Sequence, residues 1–263
     1  MRGFWKTVPS AVLVLLALAH CSATESPPDP PQNKPHVQLM TSLPLVWGDD
    51  VSMESILSGG SEPAPIYRYW QRRYDIAAVD SLENLVRDDP DILVLAQPRA
   101  MDPADLSALD AWVRSGGDVI VLTDPDLVWP SELPLGDPRR PLASGLLSPL
   151  LGHWGLELVG ADAGSSDVVE LSLGDHRLYT RGVGTVTPIA AKSASAERCN
   201  SIAGGFVVQC SVGRGQASIV ADADFLNAAL WAEETRRFPQ KSGAALFIDS
   251  LVDDHIDPAG HKK

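Results

Sequence analysis

The sequence predicts an α/β fold with a doubly wound, mainly parallel sheet, and two observations support this prediction. First, two short apolar runs, DILVLAQP and GDVIVLTDP, flank a segment with helical periodicity in residues 91–125. Two parallel strands joined by one helix have this pattern. Second, the apolar period changes to two between residues 166 and 212. That change predicts an antiparallel insertion near the C-terminal half.

The helix of the central unit has clear start and stop signals. Asp102 is a favourable N-cap, Pro103 suits the first helical position, and Gly116 ends the helix. The same alternation of strands and helices extends to both sides, and regular, helix-separated strands are typical of a flavodoxin-like sheet. It predicts a first strand within 36–48 that opens into a loop through Ser42, Pro44 and Trp47, and further strands at 74–82 and 156–160. It also predicts helices at 64–74, 81–87, 144–155 and 242–254, and a strand, an Asp-rich end and a helix within 213–231.

Two cysteines stand symmetrically in the predicted insertion. Cys199 and Cys210 flank Gly204-Gly205, which predicts a hairpin with a two-residue turn and places the cysteines opposite each other, at a Cα separation of about 4.5 to 5.5 Å. An oxidising compartment would close a disulfide. A metal site is the alternative, but two thiols without a paired His fall short of four ligands. A nucleophilic Cys is disfavoured within a hairpin.

The chain begins with features of an exported protein. Residues 1–20 combine Arg2 and Lys6 with the apolar run AVLVLLALA, as a secretory signal does. Residues 21–35 form a Pro-rich polar tether that cannot build a core. Residues 36–255 are then one α/β domain, and 256–263 are a polar tail. We expect the protein in the periplasm or elsewhere in the cell envelope.

The segment Leu18-Ala19-His20-Cys21 is similar to a bacterial lipobox. A lipid on Cys21 would anchor the protein to a membrane, although His20 stands where a small residue is usual. Cleavage after Ala19 or Ala23 without a lipid is the alternative, and the sequence leaves both open. Contact with a membrane is expected only through this lipid.

The chain is strongly acidic. Its net charge is −13, and without residues 1–20 it has 19 basic against 34 acidic residues, a net charge of −15. Nucleic acid and anionic lipid surfaces are unfavourable partners for such a chain. Solubility alone is a sufficient explanation of the acidity.

The predicted sheet has one edge where a ligand or partner would bind, because ligands of such sheets lie beyond the carboxyl ends of the strands. Polar residues that follow the strands, and Trp and Arg residues of neighbouring loops, should meet there. The candidates are Trp47, Gln97, Arg99, Asp124, Trp129, Arg139, Arg140, Asp222 and Asp224.

The strand ends lack the residues of a nucleophilic hydrolase. No G-x-S-x-G or G-x-C-x-G occurs, and His153 and His176 come without a nucleophile. No glycine-rich phosphate loop follows the first strand, and we expect no cofactor. The aspartates at the strand ends could hold a divalent cation or, alternatively, cap helices. Trp129 could form a contact surface or fold back onto the edge.

Four segments together resemble the GldG-like domain: residues 45–48, 91–125, 127–141 and 213–226, with AQPRAM and DADFL as the most specific parts. This family comprises auxiliary extracytoplasmic domains of ABC-type transport and gliding-motility systems and has a class I glutamine amidotransferase-like fold. The resemblance implies a non-catalytic binding or scaffold module. Its partner would be an envelope protein, in a transport or other membrane-associated complex.

Two functions therefore compete. The favoured one is a non-enzymatic extracytoplasmic binding or scaffold module of a transport system. The alternative is a metal-assisted hydrolase that uses the aspartates of the edge and acts on an amide or sugar-derived substrate.

Overall fold

The structure is a computed structural model that describes residues 34–48, 54, 57–58, 60, 62–160, 167–189 and 198–256. The signal segment, most of the tether and Cys21 lie outside these residues. None of the helices in the described ranges is long and apolar enough to cross a membrane.

The described strands have the following bounds: β1 His36–Thr41, β2 Asp75–Ala78, β3 Ile92–Ala96, β4 Asp118–Leu122, β5 Leu156–Val159, β6 Val169–Leu173, β7 His176–Thr180, β8 Thr185–Pro188, β9 Arg198–Ile202, β10 Val207–Val212 and β11 Gly215–Val220. The α-helices are α1 Pro65–Arg73, α2 Leu85–Asp88, α3 Pro103–Arg114, α4 Ser148–His153, α5 Glu233–Arg237 and α6 Gly243–His255.

The central sheet has seven strands in the order β2-β1-β3-β4-β11-β10-β9. The first five of these are parallel, and β10 and β9 extend the sheet in antiparallel fashion. Every residue of β3 and β4 is buried, as expected for strands covered on both faces. The flavodoxin-like α/β fold is therefore confirmed.

Two apolar cores lie on opposite faces of the sheet. One core packs α1 and α6 against the sheet and includes Trp70 and Phe225. The other packs α3 and α4 against it and includes Trp112 and Trp154. The predicted cap of α3 is present, since an Asp102 carboxylate oxygen accepts hydrogen bonds from the backbone N–H groups of Ala104 and Asp105.

The structure corrects the sequence-based boundaries of the central sheet and the insertion. The strand predicted at 156–160 does not join the parallel sheet, because β5 pairs antiparallel with β8 in a separate two-stranded sheet. Its alternating exposure explains this, since a central parallel strand must be buried on both faces. The hairpin β6–β7 is separate, whereas β9 and β10 belong to the central sheet. Residues 166 and 190–197 lie outside the described residues.

The first strand ends at Thr41, where the predicted loop through Ser42 begins. Two further boundaries differ from the prediction. Two short 3-10 turns, Asp224–Leu226 and Ala228–Leu230, replace the helix predicted after β11. Ile256, which the sequence places in the polar tail, is buried against the α1 and α6 core.

The disulfide predicted between Cys199 and Cys210 is present, and the two residues pair directly across β9 and β10. Their Cα atoms are 4.0 Å apart, closer than predicted. The loop has four residues rather than two, because the ladder ends at the pair Ile202 and Val207. Gly204 and Gly205, both with positive φ, form its centre. Since the sulfurs are bonded to each other, neither acts as a thiolate ligand or nucleophile.

Candidate functional site

The predicted site residues lie at one edge of the sheet, and six of the nine fall into two groups. The carboxylate cluster, defined as Asp124, Asp222 and Asp224, is fully buried, and all three side chains are 0% exposed. The edge cavity, an open depression of about 350 Å³, lies beside it at the ends of β1 and β2. Trp47, Arg99 and Arg139 line this cavity.

Gln97 connects the ends of β3 and β4 and is fully buried. Its side-chain Nε2 donates to the carbonyls of Asp124 (3.1 Å) and Leu142 (3.0 Å), and its Oε1 accepts from the Asp124 N–H (2.8 Å). Its backbone carbonyl accepts hydrogen bonds from Ser42. Gln97 also has a φ of 46°, a strained value that the surrounding hydrogen bonds must hold. The structure therefore places Gln97 in the framework of the edge rather than at its surface.

Asp124 holds the loop that follows β4. One carboxylate oxygen accepts from the Asp126 N–H at 2.9 Å, and the other accepts from the Ala223 N–H at 3.1 Å. The second bond joins the ends of β4 and β11, which are neighbours in the sheet.

Asp222 and Asp224 organise the segment after β11. The Thr180 hydroxyl lies 2.7 Å from both carboxylate oxygens of Asp222, and Asp222 Oδ1 accepts from the Phe225 N–H. Asp224 Oδ2 accepts from the Val128 N–H at 2.8 Å. Asp224 Oδ1 is buried and has no hydrogen-bond partner among the described residues.

Burial raises the pKa values of all three carboxyl groups. The pKa of Asp124 is raised to about 7, chiefly by burial and then by the charge of Asp224. Burial, followed by the charge of Asp124, raises the pKa of Asp222 well above its ordinary value. The pKa of Asp224 is raised to about 6 by burial, although the Val128 N–H and the Arg181 charge lower it. Near neutral pH, the cluster therefore retains protons that exposed aspartates would have lost.

Neither Asp124 nor Asp224 caps a helix, which was one of the two predicted roles. Their oxygens instead accept hydrogen bonds from backbone N–H groups of a turn and of distant segments, and only Asp222 accepts from an N–H three residues further on. Within the described ranges, no group of three or more His, Cys, Asp or Glu side chains is arranged to hold a metal ion.

The edge cavity is formed by the segment after β1, the end of β2, Arg99 after β3, and the loop between β4 and α4. Its lining combines apolar side chains with polar and charged ones. The lining residues are Leu39, Thr41, Ser42, Leu43, Pro44, Val46, Trp47, Gly48, Ala78, Val79, Asp80, Arg99, Pro130, Ser131, Leu133, Pro138, Arg139 and Pro141.

The two candidate tryptophans differ in exposure at this edge, and the two candidate arginines differ in what they contact. Trp47 is 54% exposed on the cavity rim, whereas Trp129 is only 9% exposed and packs into the core. Arg139 is an exposed residue of the cavity and forms an ion pair with Asp137. Arg140 instead donates to the carbonyls of Ser131 and Leu133 and holds their loop together. Trp129 has therefore folded back onto the edge, as one of the two interpretations predicted.

Two features were missed by the sequence analysis. Asp80 lines the cavity, but the prediction placed it inside a strand that ends at Ala78. His255 belongs to α6 and is buried, with its Nε2 3.0 Å from Ser218 Oγ and its Nδ1 3.8 Å from Asp118 Oδ1. This Ser, His and Asp set resembles a catalytic triad in composition only. Ser218 lies within β11 and is 1% exposed, so no substrate can reach it.

Solved structures similar to this chain are distant. They include an exo-beta-1,4-mannosidase from Opitutaceae bacterium strain TAV5, with 13% identity, 84% of this chain and 36% of that chain covered and a TM-score of 0.45. A beta-galactosidase from Rahnella sp. R3 has 13% identity, coverage of 86% and 33%, and a TM-score of 0.42. This chain thus spans about a third of the length of either glycosidase. A cytoplasmic protein from Salmonella typhimurium has 10% identity, coverage of 82% and 97%, and a TM-score of 0.48. Similarities of this size carry no functional argument.

The family comparison is more informative. No curated protein matches the sequence. Residues 34–163 match the family described as an ABC-type uncharacterized transport system. This range runs from β1 past β5, and it contains every residue that lines the edge cavity. The resemblance of residues 213–226 lies beyond the match and stays a prediction. The match over residues 34–163 agrees with the resemblance of the chain to the GldG-like auxiliary domain.

Proposed function

We propose that this protein is an exported, non-enzymatic binding module that serves an ABC-type transport system in the cell envelope. The observation that carries the proposal is the family match over residues 34–163. The edge cavity supports it, because this matched segment alone supplies all of the cavity's lining residues. Every residue that lines the cavity therefore lies in the matched segment.

The strand ends support binding rather than catalysis. Gln97 and Asp124 hydrogen-bond to each other and to neighbouring backbone groups, and Asp222 is engaged by Thr180. A general acid or base must reach the atom that it protonates or deprotonates. These fully buried groups do not reach the cavity surface. No observation favours the metal-assisted hydrolase, and we do not retain it.

Export and anchoring are parts of the same proposal. The apolar run within residues 1–20 would direct secretion, and Cys21 would carry a lipid or lie next to a plain cleavage site. Metabolic labelling with a palmitate analogue distinguishes the two. Label that disappears in Cys21→Ser means a lipid anchor, and an unlabelled protein means cleavage without a lipid.

The partner is tested by site-specific photo-crosslinking in the native cell envelope. One variant carries the crosslinker at Trp47, on the cavity rim, and the control carries it at Phe238, which is similarly exposed at 48% but does not line the cavity. We expect the Trp47 variant to capture a permease or ATPase subunit of an ABC-type system and the Phe238 variant not to do so. Capture of the same proteins at both positions, or of no transport subunit at Trp47, would overturn the proposal.

A further inference from the structure

We propose that the edge cavity binds a small amphipathic anion, a molecule with one acidic group and one flat apolar ring. This inference rests on the proposed role of the cavity as the binding site of the module. Its volume of about 350 Å³ is that of a small-molecule site. The cavity also lies beyond the carboxyl ends of parallel strands, where sheets of this type bind ligands.

One part of the cavity is suited to an apolar ring. Leu39, Leu43 and Val46 line it together with four prolines, which have no backbone N–H to satisfy. Trp47 stands at the rim with more than half of its surface exposed. An exposed indole beside an apolar wall offers a flat surface on which a ligand ring can stack.

Arg99 supplies the charge for the acidic group. It is exposed at the cavity and forms no hydrogen bond or ion pair within the described residues, although its charge helps to lower the pKa of the nearby Asp137 carboxyl group. The second guanidinium, that of Arg139, is held by two hydrogen bonds to the Asp137 carboxylate. A guanidinium whose N–H groups are not engaged in hydrogen bonds is well suited to pair with a carboxylate or sulfonate.

The remaining polar groups limit the charge and the polarity of the ligand. Asp80 adds a negative charge to the lining, so a ligand with two negative charges would be repelled. The Ser42 hydroxyl donates to the Gln97 carbonyl, and Thr41 Oγ1 accepts from the Leu43 N–H. These hydroxyls already serve the fold, so the cavity has few groups left to recognise a polyol. The lining therefore favours a monoanion with an apolar body.

A matched pair of fluorescent probes tests this inference with the full-length mature protein. The anionic probe is 1-anilinonaphthalene-8-sulfonate, and the neutral probe is N-phenyl-1-naphthylamine, which has the same rings without the sulfonate. We expect one anionic probe per protein molecule, bound about fivefold to tenfold more tightly than the neutral probe. Fluorescence titration measures both affinities, and calorimetry measures the stoichiometry.

Four variants locate the binding and assign the charge effect. Arg99→Gln should lower the affinity for the anionic probe by about fivefold and change the affinity for the neutral probe by no more than about twofold. Trp47→Ala should lower the affinity for both probes, and Asp80→Asn should raise the affinity for the anionic probe only. Arg72→Gln, an exposed arginine of α1 outside the cavity lining, is the control and should change neither affinity.

Three results would overturn the inference: no binding of the anionic probe, equal affinity for the two probes, or an Arg99→Gln effect no larger than that of Arg72→Gln. If transport subunits are captured at Trp47 but any of these three results is found, the proposed function is supported and the proposed class of ligand is wrong. Anion binding without capture means that the cavity binds its ligand but the transport partner is wrong.

Discussion

The carboxylate cluster and the edge cavity lie at the same edge of one sheet, yet their polar side chains have opposite environments. The cluster lies at the carboxyl ends of the central strands β4 and β11. There, β7 and the loop at 125–129 cover it and supply hydrogen-bond donors. The cavity lies at the carboxyl ends of β1 and the edge strand β2, where the loop at 130–141 leaves an opening. A polar residue after a strand can thus support the backbone or face a ligand, and the neighbouring segments decide which.

The largest contrast is expected between two tryptophans. Trp129→Ala should lower the free energy of unfolding by about 3–5 kcal/mol, because it removes a large side chain from the core. Trp47→Ala should change it by less than about 0.5 kcal/mol, because that indole lies mostly in solvent. Urea denaturation measures both values. Equal losses would mean that the two loops are packed alike.

The second contrast is between two residues that follow β3. Gln97→Ala should cost about 2–4 kcal/mol of stability, since it leaves the buried Asp124 N–H and two carbonyls without their partner. Arg99→Ala should be almost neutral, within about 0.5 kcal/mol. The same denaturation measurement tests this pair. A stable Gln97→Ala protein would show that Gln97 is not part of the framework.

The third contrast concerns charge and pH. The folded-state pKa values of Asp124 and Asp222 lie above those of the unfolded chain. The folded protein therefore holds protons that the unfolded chain releases, and the free energy of unfolding should fall as the pH rises from about 4 through about 7. Asp222→Asn should remove part of this dependence. Its amide can still accept from the Phe225 N–H and can donate to Thr180.

Unfolding measurements at several pH values test this prediction. At pH 8, we expect Asp222→Asn to be more stable than the wild type, and the difference should shrink as the pH falls towards 4. Asp80→Asn, which removes an exposed carboxylate of the cavity, is the control for the loss of one negative charge. A wild-type stability that rises between pH 4 and pH 7 would contradict the buried-carboxylate interpretation.

The smallest contrast is between adjacent arginines of the loop. Arg140→Ala should cost about 1–2 kcal/mol, because its guanidinium holds two carbonyls of the loop. Arg139→Ala should cost no more than about 0.5 kcal/mol, because its ion pair with Asp137 is at the surface. If the order of the two losses were reversed, Arg139 would be the residue that organises the loop.

Local sequence patterns predicted the strand-helix-strand unit, its Asp102 cap, the parallel sheet and the pairing of Cys199 with Cys210. Periodicity, caps and turn residues act over a few neighbours, so they can be read from the sequence. The separate pairing of β5 with β8 could not be read, because an apolar run does not identify its partner strand. Asp80 was missed for a related reason, since strand ends are the least defined part of a periodic pattern.

The sequence by itself determined which polar side chains follow the strands and therefore which edge of the sheet carries them. Only the tertiary structure decided that Asp222 and Asp224 lie inside while Arg99 lies outside. The hydroxyl that contacts Asp222 comes from a residue 42 positions away, and the N–H that contacts Asp224 comes from one 96 positions away. Burial and hydrogen-bond partners depend on such distant segments, because a backbone donor must find its acceptor wherever the folded chain brings one within reach.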